Sequence, residues 1–136
     1  MWVADWLRGA GVEPFEVCGA AGLSTLAGVR LVPAPAWMRL VWIGDVSAMT
    51  VGDRIFVLPR MLESGPSQVI RLVAHELVHV RQWKLAGTVR FLAVYLSDYL
   101  RGRMRGLGHG AAYRSIRYET EADAVARTFC SSPPVP

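Results

Sequence analysis

The sequence predicts an α+β domain in which a small, mostly antiparallel sheet packs on a central helix and further helices. Three observations carry that expectation. Residues 29–59 hold short runs rich in Val, Ile, Leu and Trp, the texture of strands. Residues 64–130 switch to apolar positions three and four apart, the period of amphipathic helices. A chain of 136 residues, 52% apolar and only 19% charged, has the length of one domain and ample material for a core, which excludes disorder as its overall state.

Taken in order, Trp2 to Gly9 place Trp2, Val3, Trp6 and Leu7 on one side and Asp5 and Arg8 opposite, a short amphipathic helix stopped by Gly9 and Gly11. Residues 14–28 are small and Gly-rich and predict no particular element. Strands are expected at Val29–Val32, Met38–Ile43, Ala48–Val51 and Ile55–Leu58, with Gly52-Asp53 as a two-residue hairpin turn and the sheet ending at Pro59. Ser64, Gly65 and Pro66 then supply a helix start, apolar residues recur at Val69, Ile70, Val73, Leu77, Val80 and Trp83, and Gly87 supplies the stop after Ala86. A second, unusually aromatic helix follows from Thr88 to Arg103, with Phe91, Tyr95 and Tyr99. Gly102, Gly106, Gly108 and Gly110 predict a flexible link, and a third helix runs from Ile116 or Tyr118 to Phe129. The domain is thus expected over residues 1–130, with a disordered tail at 131–136.

Composition narrows the function. The longest uncharged stretch, Val17 to Val29, is 13 residues and broken by glycines, short of the roughly 20 a spanning helix needs. The amino terminus lacks a basic start and apolar run, so a cytoplasmic protein is expected. A peripheral membrane contact through Trp2 and Trp6 is the membrane role left open, with packing onto the domain preferred. Cys18 and Cys130 form no C-x-x-C pair, which indicates neither a zinc ribbon nor a disulfide framework. Five arginines between Arg101 and Arg117 stand without an acid, yet no nucleic-acid motif accompanies them and a basic helix end is ordinarily just solvated, so nucleic acid is not the expected partner.

The chemistry concentrates at His75-Glu76-Leu77-Val78-His79. Positions i and i+4 share one side of a helix about 6 Å apart, where two imidazoles can hold one metal ion. Shuffling this composition would produce H-E-x-x-H on the order of once in five hundred trials, which outweighs the bland reading of two buried histidines donating to carbonyls. A catalytic zinc takes three protein ligands plus water, so a third is required. Glu119 and Asp123 stand four apart at the start of the last helix and face one way, with Glu121 turned about 160° from Glu119. Glu119 is the expected ligand, and Asp123 suits the N–H of a bound imidazole, at His75 or His79. His109, between Gly108 and Gly110, is the competitor, but a loop places a ligand less rigidly than a helix. The helix dipole alone also favours acids in a first turn.

The run Ala48 to Val57, followed by Leu72 to Gln82, resembles the eCIS core domain family (DUF4157) of small zincin-like domains, and Glu119-x-Glu121-Ala122-Asp123 resembles the glutamate-ligand signature of M48-type gluzincin peptidases. Together they cover about residues 47–127. The resemblance implies a minimal gluzincin with His75, His79 and Glu119 as zinc ligands, Glu76 as general base and Asp123 as the support of His75. It sets Tyr113 where related enzymes sometimes carry a transition-state stabiliser, although a plain core tyrosine is the preferred reading. Residues 80–118, including the aromatic helix, look like an insertion of a subgroup. The expected activity is hydrolysis of a peptide or protein substrate by zinc-activated water, although imidazole and carboxylate ligands suit other divalent ions too. A second reading keeps the zinc but makes the domain a silent scaffold, docking to a protein partner or membrane surface through Trp2, Trp6 and the Tyr95 and Tyr99 face.

Overall fold

A 21-residue helix spanning Pro66–Ala86, here α5, runs through the middle of the fold. Gly65 precedes its first-turn proline, and Gly87, at φ 78°, ends it in a conformation that residues with a Cβ avoid. Both limits fall where the punctuation in the sequence sets them. Val69, Val73, Ala74, Leu77, Val78 and Val80 are all buried, so the helix meets neighbours on more than one side, as the core of a small domain requires. The computed structural model describes residues 1–41 and 47–129.

Ahead of α5 lie α1 (Val3–Gly9), α2 (Pro14–Ala20), β1 (Arg30–Pro33), α3 (Ala36–Val41), β2 (Ala48–Val51), β3 (Arg54–Val57) and the single turn α4 (Pro59–Leu62). The expected hairpin forms: β2 pairs antiparallel with β3 around Gly52, at φ 63°. The sheet is not mostly antiparallel, however. Its order is β1-β3-β2, with β1 parallel to β3 in register Leu31↔Ile55. The strand expected over Met38–Ile43 is absent over its described part: Ala36–Val41 is helical, and residues 42 and 43 lie outside the described residues. Pro35 explains this, because its carbonyl accepts from both Met38 and Arg39 and nucleates a helical turn. Of that run Met38 is buried while Trp37 and Leu40 stay exposed, a helical and not an alternating pattern. Losing that strand leaves β1 to pair directly with β3.

Val3 and Leu7, one turn apart on α1, are fully buried, and Met1 and Leu31 exchange backbone contacts that close the β1 edge. The opposite edge, β2, faces α5. Trp2 remains half exposed with the Arg30 guanidinium 5.0 Å above its ring. The stretch at 14–28 carries α2, whose Val17 and Cys18 are buried, and Cys18 is a free thiol. One hydrophobic cluster runs from Val3 to Ala122.

Beyond Gly87 come α6 (Thr88–Met104), α7 (His109–Arg114) and α8 (Arg117–Thr128). The glycine-rich link is thus mostly helical. Gly102 is buried inside α6, and a Cβ there would come within 2.9 Å of Ser115 Oγ and 3.1 Å of Ala112 Cα. Its lack of a side chain serves the close approach of α7, not flexibility. The last helix ends one residue short of the expected Phe129, and the tail at 131–136 lies outside the described residues.

Candidate metal centre

The middle of α5 delivers the H-E-x-x-H turn against the first turn of α8, the helix it packs on most extensively. His75 and His79 bring their Nε2 atoms to 3.2 Å from each other. Glu119 meets both, with Oε2 3.1 Å from His75 Nε2 and Oε1 3.1 Å from His79 Nε2. These three form the one group of its kind among the described residues whose donor atoms all lie within 4.8 Å of one another.

What surrounds the triangle decides which atoms face it. His75 Nδ1 lies 3.1 Å from Asp123 Oδ1, and His79 Nδ1 lies 2.7 Å from Gln82 Oε1. The Gln82 orientation is set independently, because its amide nitrogen donates to the Tyr118 carbonyl and to Glu121 Oε1, each at 3.1 Å. His79 is therefore set to donate from Nδ1, Asp123 lies within ion-pair distance of His75 Nδ1, and both Nε2 atoms, with their lone pairs, face a common point. Two such lone pairs at 3.2 Å repel unless a proton or a cation lies between them. The fit to zinc is close: bonds of about 2.0–2.1 Å in a tetrahedron set neighbouring donors about 3.3 Å apart, near the 3.1–3.2 Å edges found here.

Without a metal the cluster holds protons. Burial works to lower the His79 pKa, but the hydrogen bond with Glu119 and the charges of Glu76 and Glu119 outweigh it and push it up to about 9. His75 moves up by the same opposition of burial against Glu119. Burial would raise Glu119, yet the hydrogen bonds from His75 and His79 hold its carboxyl well below the usual range. A buried anion facing two basic nitrogens is the charge pattern of a cation site.

Glu119 is placed by α6 as well as by its own helix. Tyr95 donates its hydroxyl to Glu119 Oε1 at 2.6 Å. Asp98, also on α6 and buried, accepts from the backbone N–H of Arg117 at 3.1 Å and from its guanidinium at 2.8 and 3.0 Å, which ties the first turn of α8 down two residues before Glu119. Phe91 stacks on Trp83 and Tyr118, so Phe91 and Tyr95 are turned inward, while Tyr99 is half-buried beside the exposed His109. Glu121, pointing away from Glu119 as its spacing predicts, pairs with Arg81 of α5.

Glu76 is buried and its Oε2 accepts the Thr50 hydroxyl from β2 at 2.7 Å. Two depressions flank the cluster. A cleft of about 440 Å³ is lined by His75, Glu76, Arg71, Tyr113, Glu119 and Asp123. A more apolar one of about 520 Å³ lies between β2 and α6, with Met49, Val51, Phe91 and Leu92 on its walls and Glu76, Tyr113 and Glu119 shared. Burial and then the Glu119 charge raise the Tyr113 phenol far above its ordinary pKa, so it stays protonated. His109 stands apart, exposed, with Nδ1 2.9 Å from the Tyr99 hydroxyl, and is not in the cluster.

Three residues that the sequence did not assign to the site hold this arrangement: Thr50, Gln82 and Tyr95, the last expected on a docking face but turned onto Glu119. Gln82 carried a usable signal, being i+3 from His79 on one helix face. Thr50 and Tyr95 reach the site only through tertiary packing.

A family model described as the eCIS core domain matches residues 19–86, half of the chain. No curated protein and no solved structure matches. The matched segment contains Thr50, His75, Glu76, His79 and Gln82 and stops before Tyr95, Glu119 and Asp123.

Proposed function

The chain belongs to the eCIS core domain family, and from that premise we propose that it is a zinc-dependent metallopeptidase-like domain, a minimal gluzincin hydrolysing peptide bonds. One observation carries the reading: two imidazole Nε2 atoms and a buried carboxylate converge at 3.1–3.2 Å, with both Nδ1 atoms already engaged. His75, His79 and Glu119 would hold the ion, which when bound supplies Lewis-acid activation of water and of a scissile carbonyl. No fourth protein ligand joins the cluster among the described residues, which supports an open, catalytic position over a closed structural site.

Glu76 sits where both depressions meet. With Oε2 held by Thr50, its carboxylate is oriented to take the proton of an attacking water and return it to the departing amide nitrogen, a role typically contributing 10²- to 10⁴-fold. Gln82 fixes the tautomer of His79, and Asp123, at ion-pair distance from His75 Nδ1, would favour the matching tautomer there. Tyr113, protonated and lining both depressions, would donate to an oxyanion formed at the substrate carbonyl. A peptide crossing the site would set polar groups toward Arg71 and Asp123 and an apolar side chain toward Met49, Phe91 and Leu92.

The test is a pair of measurements on wild type and Glu76→Gln. Metal analysis should find about one zinc per chain in both. Turnover of a mixed quenched-fluorescent peptide library should be confined to wild type. Cleavage retained by Glu76→Gln would remove the general base, and wild type without zinc would remove the site. Zinc bound with no cleavage by either would favour the silent scaffold.

A further inference from the structure

The inward turn of Phe91 and Tyr95 leaves the outward face of α6 aliphatic. Val89, Leu92, Leu96, Leu100 and Met104 recur at spacings of three and four and are 49–88% exposed. They form one stripe along a helix of 17 residues, about 25 Å long at 1.5 Å per residue. Phe91, Asp98 and Gly102 occupy the opposite, buried side. A stripe of this size on water is unfavourable and marks a contact surface.

Charge says what the contact is. Between Glu76 and Glu119 the only acid is Asp98, and it is buried against Arg117. Arg90, Arg101, Arg103 and Arg105 are all exposed on α6 or at its end, Arg101 with its guanidinium 3.7 Å from Asp98. The outward surface of α6 is therefore an aliphatic line bordered by cations with no exposed anion along it. A second copy of the same face would set like charges together. A protein partner would normally be met by Trp or Tyr anchors, and here Tyr95 is turned onto Glu119 while Tyr99 is half-buried with its hydroxyl on His109. Leucines beside arginines on one helix instead match an interfacial helix lying in the plane of an anionic bilayer. Among the described residues no helix is long and apolar enough to cross a membrane, and the contact inferred is a surface one.

We infer that α6 docks the domain on an anionic lipid surface through Val89, Leu92, Leu96, Leu100 and Met104. Leu92 also lines the apolar depression beside Glu76, so a seated domain would present that depression next to the lipid. The inference stands independently of catalysis.

The experiment is co-sedimentation of the whole chain with vesicles of phosphatidylcholine alone or with one quarter phosphatidylglycerol. Wild type should partition onto the anionic vesicles at least about tenfold better than onto the neutral ones, and 0.5 M NaCl should remove most of that difference. Leu96→Glu with Leu100→Glu should lower partitioning by about a hundredfold, and Arg90→Ser with Arg105→Ser by about tenfold or more. All four side chains are exposed, and circular dichroism of each variant checks that it folds. Absence of vesicle binding by wild type, or binding by the leucine variant equal to wild type, would overturn the inference. So would light scattering that shows a stable dimer dissociated by the leucine substitutions, which would assign the stripe to a second copy.

Discussion

Replacing Gln82 by Leu removes the acceptor of His79 Nδ1 while leaving His75, His79 and Glu119, the proposed zinc ligands, unsubstituted. The Gln82 side chain is buried and makes three contacts: its carbonyl oxygen 2.7 Å from His79 Nδ1, and its amide nitrogen 3.1 Å from both the Tyr118 carbonyl and Glu121 Oε1. Two separate losses follow. The His79 ring is freed to turn or to move its proton to Nε2, and losing such a support typically costs 10- to 100-fold in metal affinity, about 1.4–2.7 kcal/mol. The Tyr118 carbonyl also loses its donor, which lowers the stability of the metal-free fold by about 1–3 kcal/mol. Gln82→Glu separates the two. It keeps an acceptor for His79 but sets a carboxylate against Glu121 and Tyr118, so the fold should weaken while zinc affinity stays within about threefold of wild type. Zinc dissociation constants come from competition with a chromophoric chelator at pH 7.4, and stabilities from urea unfolding in EDTA. A Leu variant that binds zinc within about twofold of wild type, or a Glu variant that loses as much affinity as Leu, would refute the tautomer argument.

Two further expectations concern the scaffold around the site. Arg117 holds the Asp98 carboxyl below its ordinary pKa, so the stability this pair contributes is present above about pH 4 and lost as pH falls through the lowered value. Asp98→Asn should therefore cost about 1–2 kcal/mol at pH 7, at the low end because the Arg117 side chain is largely exposed, and the gap to wild type should narrow toward pH 3. Urea unfolding at both pH values measures it, and a gap that widens in acid would contradict the assignment. Gly102→Ala should lower stability by about 1–3 kcal/mol through overlap with Ala112 and Ser115. Gly108→Ala, where nothing lies within 4 Å of an added Cβ, should change it by less than about 0.5 kcal/mol. Equal melting temperatures for the two variants would show that α6 and α7 do not pack as described.

How legible each element was depends on how local its cause is. The bounds of α5 could be read residue by residue because Gly65-Pro66 and Gly87 act on the backbone where they stand. The hairpin at Gly52 was legible for the same reason. The run Met38–Ile43 reads as strand because six largely apolar residues suit either period, and the signal that makes 38–41 helical, Pro35, lies outside the run. Gly102 was misread as flexible because glycine in a sequence signals backbone freedom and close packing alike, and only the position of Ala112 separates them. At the site, the residues on one helix were visible by spacing. The aromatic residues of α6 were visible as unusual, but not the direction they face: Tyr95 points to Glu119, while the outward stripe is aliphatic.

The end of the family match at residue 86 coincides with the end of α5, and this bears on how the site is built. The matched half carries two imidazoles, the Glu76 carboxylate and its Thr50 anchor, but two nitrogens alone leave a divalent ion under-coordinated. Everything that brings the third donor comes from the other half: Glu119 itself, Asp123 against His75, Tyr95 on the Glu119 carboxylate, and Asp98 at the head of α8. Two of these four lie on α6, so that helix orients the third donor from outside the matched segment. Its inner face is committed to positioning Glu119, while Val89, Leu96, Leu100 and Met104 on its outer face stay exposed among the described residues. An aliphatic outer face therefore needs a cause outside the domain, and an anionic lipid surface is the one that accounts for the bordering arginines as well as the leucines.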